Sequence, residues 1–515
     1  METLVTEIDR LPLLSLITLA PLAGALITLF MPERAVRAIQ GVALATTGFS
    51  LALSAWLYAR MCQFPDATGF LWQENLPWLP EFGIQYHLGV DGLSMPMVLL
   101  SGIICFAATL MSLQIDFRQR EYFALALTAM AGVFGVFTSL DLFFLILFYE
   151  LASIPMYFLV GVWGSDKTGV GKPIRREKAA MKLLIYLQLG GGLVLLGIFG
   201  LYFLSGLDVK TFDYPALLQA TFSREHQYWL FLLIFLGFAI EAGLVPFHTW
   251  LPDGHSSAPT ALSMMLAGVL LKMGGYGILR LSVGLLPEGA RMWLPFFGFL
   301  AVVNILYGAL CALRQTDIKL MIAYSSVSHM GIVFLGTACM ANPAAGTGAL
   351  FGASGAVFQM FSHGVITALL FGLAGTVYLI THSRDMTRWG GLASKMPWIA
   401  TAYVLGAMGS LGLPGMSGFV AELMVFYGTW QYQSTLAVLA ILGLVITATY
   451  LLRSVQFAFY GPLNPKLVDV RDAALAEKIP LGFLALVTLL FGMYPRLLTD
   501  VTTPALQEIL KRLAS

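Results

Sequence analysis

The sequence predicts an all-α polytopic membrane protein, and three observations carry that expectation. Of 515 residues, 58% are hydrophobic and 11% charged, with mean hydropathy +0.81, a balance foreign to soluble domains of this length. Apolar runs long enough to span a bilayer recur along the whole chain. Inside those runs sit five ionisable side chains, Glu150, Glu241, Lys272, Lys319 and Glu422. A charge at bilayer depth costs roughly 2.5 to 3.5 kcal/mol on insertion scales, so each must be neutralised, paired or wetted. Membrane carboxylates and lysines with that profile are the usual parts of proton relays.

The first apolar run, residues 11–31, is preceded by an acidic segment without the basic flank of a signal peptide, and it reads as a retained first helix. A span length of about 20 residues then yields about 14 helices. Their centres fall near Leu22, Ser50, Ile104, Val133, Leu151, Val194, Phe235, Val269, Ala301, Val333, Leu370, Met408, Ile441 and Leu490. Connections after the odd-numbered helices hold about 17 Lys and Arg, from Arg34 and Arg37 through Lys167, Lys172 and Lys319 to Lys478. The opposite connections hold about 5, namely Arg60, Lys210, Arg224, Arg280 and Arg291, which places both termini away from the cytoplasm. The polar-leaning stretch 63–91 is too short for a separate domain, so residues 1–515 read as one membrane domain. A net charge of +1 gives no case for a nucleic-acid partner. Cys62, Cys105, Cys311 and Cys339 have no metal or disulfide spacing and read as buried thiols.

Two spans hold helix breakers beside an acid. FAIEAGLVPFHTWLPDGH carries Glu241 five residues before Pro246, and SLGLPGMSGFVAEL carries Pro414 eight residues before Glu422. Interrupting a helix there frees amides and carbonyls that lipid leaves unbonded, so the breaks should line a hydrated interior. A Pro kink that serves only packing is the plainer alternative. Two broken helices about five spans apart also suit an internal repeat. His248 and His255, seven residues apart across a Pro-interrupted segment, are poorly spaced for a metal and suit capping or loop hydrogen bonds.

The stretch PFHTWLPDGHSSAPTALSMMLAGVLLKMGGYGILR, residues 246–280, resembles the signature of the antiporter-like subunits of respiratory complex I. The likeness continues through LGVDGLSMP (88–96), FYELASIPMYFLVGVWG (148–164), KAAMKLLIY (178–186), RQTDIKLMIAYSSVSHMG (314–331), MFSHGVITALLFGL (360–373) and GSLGLPGMSGFVAEL (409–423). It implies a 14-helix bundle with two inverted five-helix repeats, about 115–285 and about 290–462, with broken helices 7 and 12. By the same resemblance Glu150 matches the essential carboxylate of the fifth helix, and Lys272 the lysine that hands protons toward the middle. Glu422 matches the acid of the broken twelfth helix, which favours the branch of subunit M, chain 4 and the D subunit of photosynthetic complexes. His329 and His363 match relay positions between the halves, although a buried neutral His satisfied by Ser328 or Ser362 fits the sequence equally. Lys319 matches a lysine at the entrance of the tenth helix, and Lys182 one in the sixth that would partner Glu150. Both lysines lie near helix ends and would otherwise snorkel. Lys272, His329, His363 and Glu422 are expected along one hydrated row near mid-membrane.

One position departs from the family. Where its seventh helix carries Lys, this chain has Glu241, and a second acid near Glu150 raises the cost of ionising both. Glu241 is expected to conduct with altered energetics while Lys182 serves Glu150; otherwise this half is uncoupled. The resemblance implies a proton-translocating subunit of an NAD(P)H or ferredoxin:quinone oxidoreductase, in a bacterial inner membrane or cyanobacterial thylakoid, beside other membrane-arm subunits. No nucleotide loop, haem pair or cluster-binding Cys run is present, so quinone and NAD(P)H or ferredoxin belong to partner subunits, with no cofactor in this chain. Alternatives are a subunit of a multi-subunit Na⁺/H⁺ antiporter or membrane-bound hydrogenase, or a non-pumping spacer of the membrane arm.

Overall fold

Lipid offers a backbone no hydrogen bonds, so apolar runs of this length satisfy their N–H and C=O groups along helices. The computed structural model describes residues 11–64, 68–166, 175–343 and 346–514, and the acidic N-terminal segment, Lys167 and Lys172 lie outside them. In chain order come α1 (Leu13–Phe30), α2 (Val36–Met61), a hairpin of β1 (Leu71–Leu79) and β2 (Ile84–Val90), α3 (Met95–Ser112), α4 (Gln119–Thr138), α5 (Leu142–Trp163) and α6 (Arg176–Leu204). The single turn α7 (Tyr214–Leu217) precedes α8 (Arg224–Glu241) and α9 (Trp250–Ser257). Next, α10 (Thr260–Met265) and α11 (Leu271–Gly277) are joined and extended by π-helical turns at Leu266–Leu270 and Ile278–Val283 into one buried span. The chain continues through α12 (Pro287–Arg314), α13 (Ile318–Ala338), α14 (Thr347–Thr381), α15 (Pro397–Ser410), α16 (Ser417–Tyr432), α17 (Ser434–Phe459), α18 (Leu475–Met493) and α19 (Arg496–Ala514).

Among the described residues, 12 helices are long and apolar enough to cross a membrane. The expected centres at Phe235 and Met408 fall on α8 and α15, which stop at the two breaks and are not among those 12. Helices apolar all round occupy the middle, chiefly α3, α4, the α10–α11 span and α13. Outer helices such as α6 and α17 turn Ile185, Leu196, Phe203 and Val445 outward. At the centre α14 crosses the π turn before α11 at Gly364, where a Cβ would come within 2.6 Å of the Gly268 carbonyl. That close approach sets His363 beside Lys272.

A paired device recurs on opposite faces of the bundle. Asp141 caps α5 through the Phe143 and Phe144 amides and bridges Asp213 across two antiparallel segments; Asp317 caps α13 through Lys319 and Leu320 and bridges Asp385. The first lies on the hairpin face, because Leu88 of β2 pairs with Ser139. The second lies on the far face, because the 28 residues of α12, about 42 Å at 1.5 Å each, carry the chain across. Burial is the largest influence on both caps: it pushes Asp141 up to about 6 and raises Asp317, against their amide hydrogen bonds.

Several expectations need correction. Most of stretch 63–91 is the β1–β2 hairpin rather than a plain connection, and α19 follows the last expected span. Arg280, counted as a loop charge, is helical and 4% exposed. Lys319, also counted in a loop, begins α13 and is buried. Of the cysteines, all free, Cys105 and Cys339 are buried whereas Cys62 and Cys311 are half-buried.

Candidate functional site

A π turn widens the helix and releases a carbonyl from its ordinary partner. Lys272, with no exposed surface, takes up that slack by donating to the Ala267 carbonyl, and its Nζ lies 2.7 Å from His363 Nδ1. When Lys272 is an ammonium it can only donate, so His363 then accepts at Nδ1 and carries its proton on Nε2, a buried atom with no protein partner. The His363 and His329 rings are 5.5 Å apart between centroids. His329, on α13, has Nδ1 3.1 Å from Gln359 Nε2 and 3.6 Å from Glu422 Oε1, and Nε2 3.1 Å from Ser410 Oγ. Lys272, His363, His329 and Glu422 thus form one continuous buried row drawn from four different helices.

The row has two protonation patterns built in. A neutral His329 accepts at Nδ1 from Gln359; once Nδ1 is protonated it pairs with Glu422 instead, and turning the Gln359 amide offers its unpartnered Oε1 as a second acceptor. Glu422 sits one turn into α16, past the second break. There Gly412, at φ +76°, lies so close to the carboxylate that a Cβ would collide with Oε2. Ser362 Oγ and Ser417 Oγ, 2.7 Å apart, pin α16 to α14 beside the break.

In the first half, Glu150 on α5 is half-buried and accepts from Gln188 Nε2 at 2.5 Å. Glu241 ends α8, fully buried, with neither oxygen hydrogen-bonded; its polar neighbours are Glu150, within electrostatic reach, and Tyr149, whose hydroxyl reaches the Leu187 carbonyl at 3.4 Å. The break that follows is closed largely by protein. Asn304 of α12 accepts from the Val245 amide at 2.6 Å and donates to the Val327 carbonyl at 2.8 Å and toward Gly243 at 3.4 Å, while Trp250 Nε1 donates to the Ile240 carbonyl at 3.0 Å. The freed backbone groups at this break are therefore met by side chains.

Two sequence expectations fail here, and the alternative that Lys319 snorkels is removed. Lys182 does not partner Glu150: its Nζ pairs with Asp253 Oδ2 of α9 at 2.7 Å. Depth is the reason, since Gln188, the residue on α6 that does meet Glu150, lies about 9 Å further along that helix. Lys319 does not snorkel; it is 2% exposed and donates to the Ala258 carbonyl at 2.8 Å and Ser263 Oγ at 3.3 Å. A cavity of about 190 Å³ lined by Lys319, Arg384, Ser165 and Thr260 opens beside it. His255 makes neither a cap nor a loop hydrogen bond, its ring nitrogens buried and the ring stacked on Phe371 at 4.6 Å, whereas His248 lies against the Pro246 carbonyl in the loop. Among the described residues no group of three His, Cys, Asp or Glu is arranged to hold a metal. Sequence reasoning passed over Asp253, Asn304, Gln188 and Gln359. The available signal was the one that exposed Glu150: an isolated polar residue inside an apolar run.

Interrupted helices flanking a buried Lys–His–His–Glu row define an antiporter-like transmembrane bundle. The chain belongs to the family described as NADH:quinone oxidoreductase/Mrp antiporter, TM, which matches residues 139–447. Over 506 residues it is 38% identical to NADH-quinone oxidoreductase subunit M of Escherichia coli K12, covering 96% of this chain and 97% of that one. It is also 38% identical to F(420)H(2) dehydrogenase subunit M of Methanosarcina mazei, covering 95% and 96%. A chain of respiratory complex I from Thermus thermophilus with bound NADH superposes with TM-score 0.86 at 29% identity, covering 98% of this chain and 100% of that one. A chain of the Mrp complex from Dietzia sp. shares the fold with TM-score 0.83 at 21% identity, covering 98% and 99%.

Proposed function

We propose that this chain translocates protons as a membrane-arm subunit of an NADH-quinone oxidoreductase, of the subunit M or chain 4 kind, with the redox chemistry held by other subunits. The observation that carries this reading is the unbroken Lys272, His363, His329 and Glu422 row, because each neighbour is a titratable group within reach of the next. Protons enter the second half near Lys319, whose cavity opens on the face rich in Lys and Arg. They cross by Lys272 and the two histidines, and leave past Glu422 at the second break. Glu150 and Glu241 form the first half, coupled to the row through Lys272. Moving one proton against about 100 mV takes about 2.3 kcal/mol, and the energy arrives from neighbouring membrane-arm subunits. Glu150, half-buried between α5 and α6, opens laterally where such a neighbour would sit. NADH, NAD(P)H and F(420)H(2) all occur in the relatives' names, so the donor is set outside this chain, and quinone is reduced elsewhere in the complex.

The same reading divides the chain into repeats of about 115–285 and about 290–462, related by inversion. The Asp141–Asp213 and Asp317–Asp385 devices on opposite faces support it. The Lys- and Arg-rich face would be cytoplasmic, in a bacterial inner or thylakoid membrane, with both termini on the other side. Glu150→Gln keeps shape and hydrogen bonding while removing the titratable proton. In proteoliposomes holding the assembled complex it should lower pumping by about a hundredfold. Pumping at the parent rate would overturn the relay.

A further inference from the structure

Beyond that relay, though resting on it, we propose that Asp253 is the proton-loading carboxylate of the first half and that Lys182 positions Asp253 rather than Glu150. Lys182 and Tyr186, one turn apart on α6, meet Asp253 and Thr249, one turn apart at α9, as two rungs of 2.7 Å and 3.1 Å. Both charged side chains are partly exposed, 32% for Lys182 and 23% for Asp253, whereas His248 and Glu241 are buried. Ion pairs with that exposure add little to the stability of a fold, so stability alone gives no reason for this one. Its place does. Lys182 lies about 9 Å in from the α6 end on the Lys- and Arg-rich face. His248, five residues before Asp253, is buried, within electrostatic reach of Lys182, beside the Pro246 carbonyl and 5.0 Å from the Tyr307 ring. Past His248 lies the Gly243–Val245 break, and beyond it the buried Glu241.

The step balances as a proton hand-over. Asp253 takes a proton from water on that face, becoming neutral and releasing Lys182; the proton passes to a ring nitrogen of His248, and Asp253 returns to its ionised pairing with Lys182. His248 then delivers it across the break toward Glu241, the acid that stands where the family has Lys.

Four variants of the whole complex test this, read as protons moved and quinone reduced after assembly is verified. Asp253→Asn should lower both by about tenfold or more, and Asp253→Glu should keep most of the activity. Lys182→Met should slow both, because Asp253 loses the contact that holds it against α6. The double exchange Lys182→Asp with Asp253→Lys keeps an ion pair but moves the carboxylate to α6, away from His248, and should remain impaired. Full recovery in the exchange would make the pair a structural clamp and overturn the proposal, as would Asp253→Asn pumping at the parent rate. Should Asp253→Asn fail to assemble, the Glu variant and the exchange decide. A neutral result here with Glu150→Gln still inactive would overturn this assignment alone and leave the relay standing.

Discussion

Glu241 concentrates the chemistry that distinguishes this chain. Its carboxyl has no exposed surface, has another acid nearby and has the Tyr149 hydroxyl as its nearest prospective donor, so a bare charge there is poorly compensated. Glu150 avoids that conflict by sitting half-exposed on Gln188. The two acids then behave as a pair sharing protons rather than as an acid and a base. Glu241→Gln should lower pumping by about tenfold while the complex assembles. Glu241→Lys recreates an ion pair with Glu150 and should retain substantial pumping. Its pH optimum should shift, because a cation then faces Glu150 where a second acid stood. The measurement is the pH profile of protons moved per quinone reduced; a Gln variant with unchanged stoichiometry and pH dependence would make Glu241 a bystander.

At the scale of elements, the hairpin is tied to the buried centre by one ion pair. Asp91, just past β2, accepts from the Leu93 and Ser94 amides and from both terminal nitrogens of Arg280, which extends from the second π turn among the rings of Phe70, Tyr214 and Tyr276. Burial alone would raise the Asp91 carboxyl, but the Arg280 charge and these hydrogen bonds outweigh it and hold the group below the ordinary carboxylate range. With the folded value below the unfolded one of about 3.9, the stabilisation is fully present above that pH and is lost as pH falls through the lower, folded value. Asp91→Asn strands a buried guanidinium and should cost about 3 to 5 kcal/mol. Thermal unfolding of the detergent-solubilised complex at neutral pH reads the loss directly, and an unchanged Tm would mean the pair holds nothing. The amphipathic α19 closes the same face: Arg291 donates to the Leu513 carbonyl, Arg512 to the Leu218 carbonyl and Tyr58 to the Leu497 carbonyl.

For the whole molecule, the consequence is an orientation. The hairpin, α19 and the Asp141 device share one face, while the Asp317 device, Arg384 and the Lys319 cavity share the other. With Cys62, Cys105, Cys311 and Cys339 replaced, single cysteines at Tyr494 and Lys395 report the two faces. An impermeant maleimide added to intact cells should label Tyr494→Cys strongly and leave Lys395→Cys unlabelled. The reverse pattern would invert the topology and with it the direction assigned to every half-channel.

Composition and span length determined by themselves that this chain lies in a membrane as a helical bundle, because a backbone in lipid has so few solutions and every proposed centre falls on a helix. Isolated charges in apolar runs also marked Glu150, Glu241, Lys272, Lys319 and Glu422, since burying a charge without function is costly. Partners were decided only by tertiary structure. Lys182 and Glu150 fit in sequence, yet lie at different depths, and Asp253 becomes the partner because α9 restarts beside α6. The break near Glu241 is closed by Asn304 from another helix, and the β1–β2 hairpin is set in place by Ser139 and Arg280. A bilayer constrains each segment alone, through the free energy of leaving water, whereas hydrogen bonds and ion pairs depend on which helices meet and at what height.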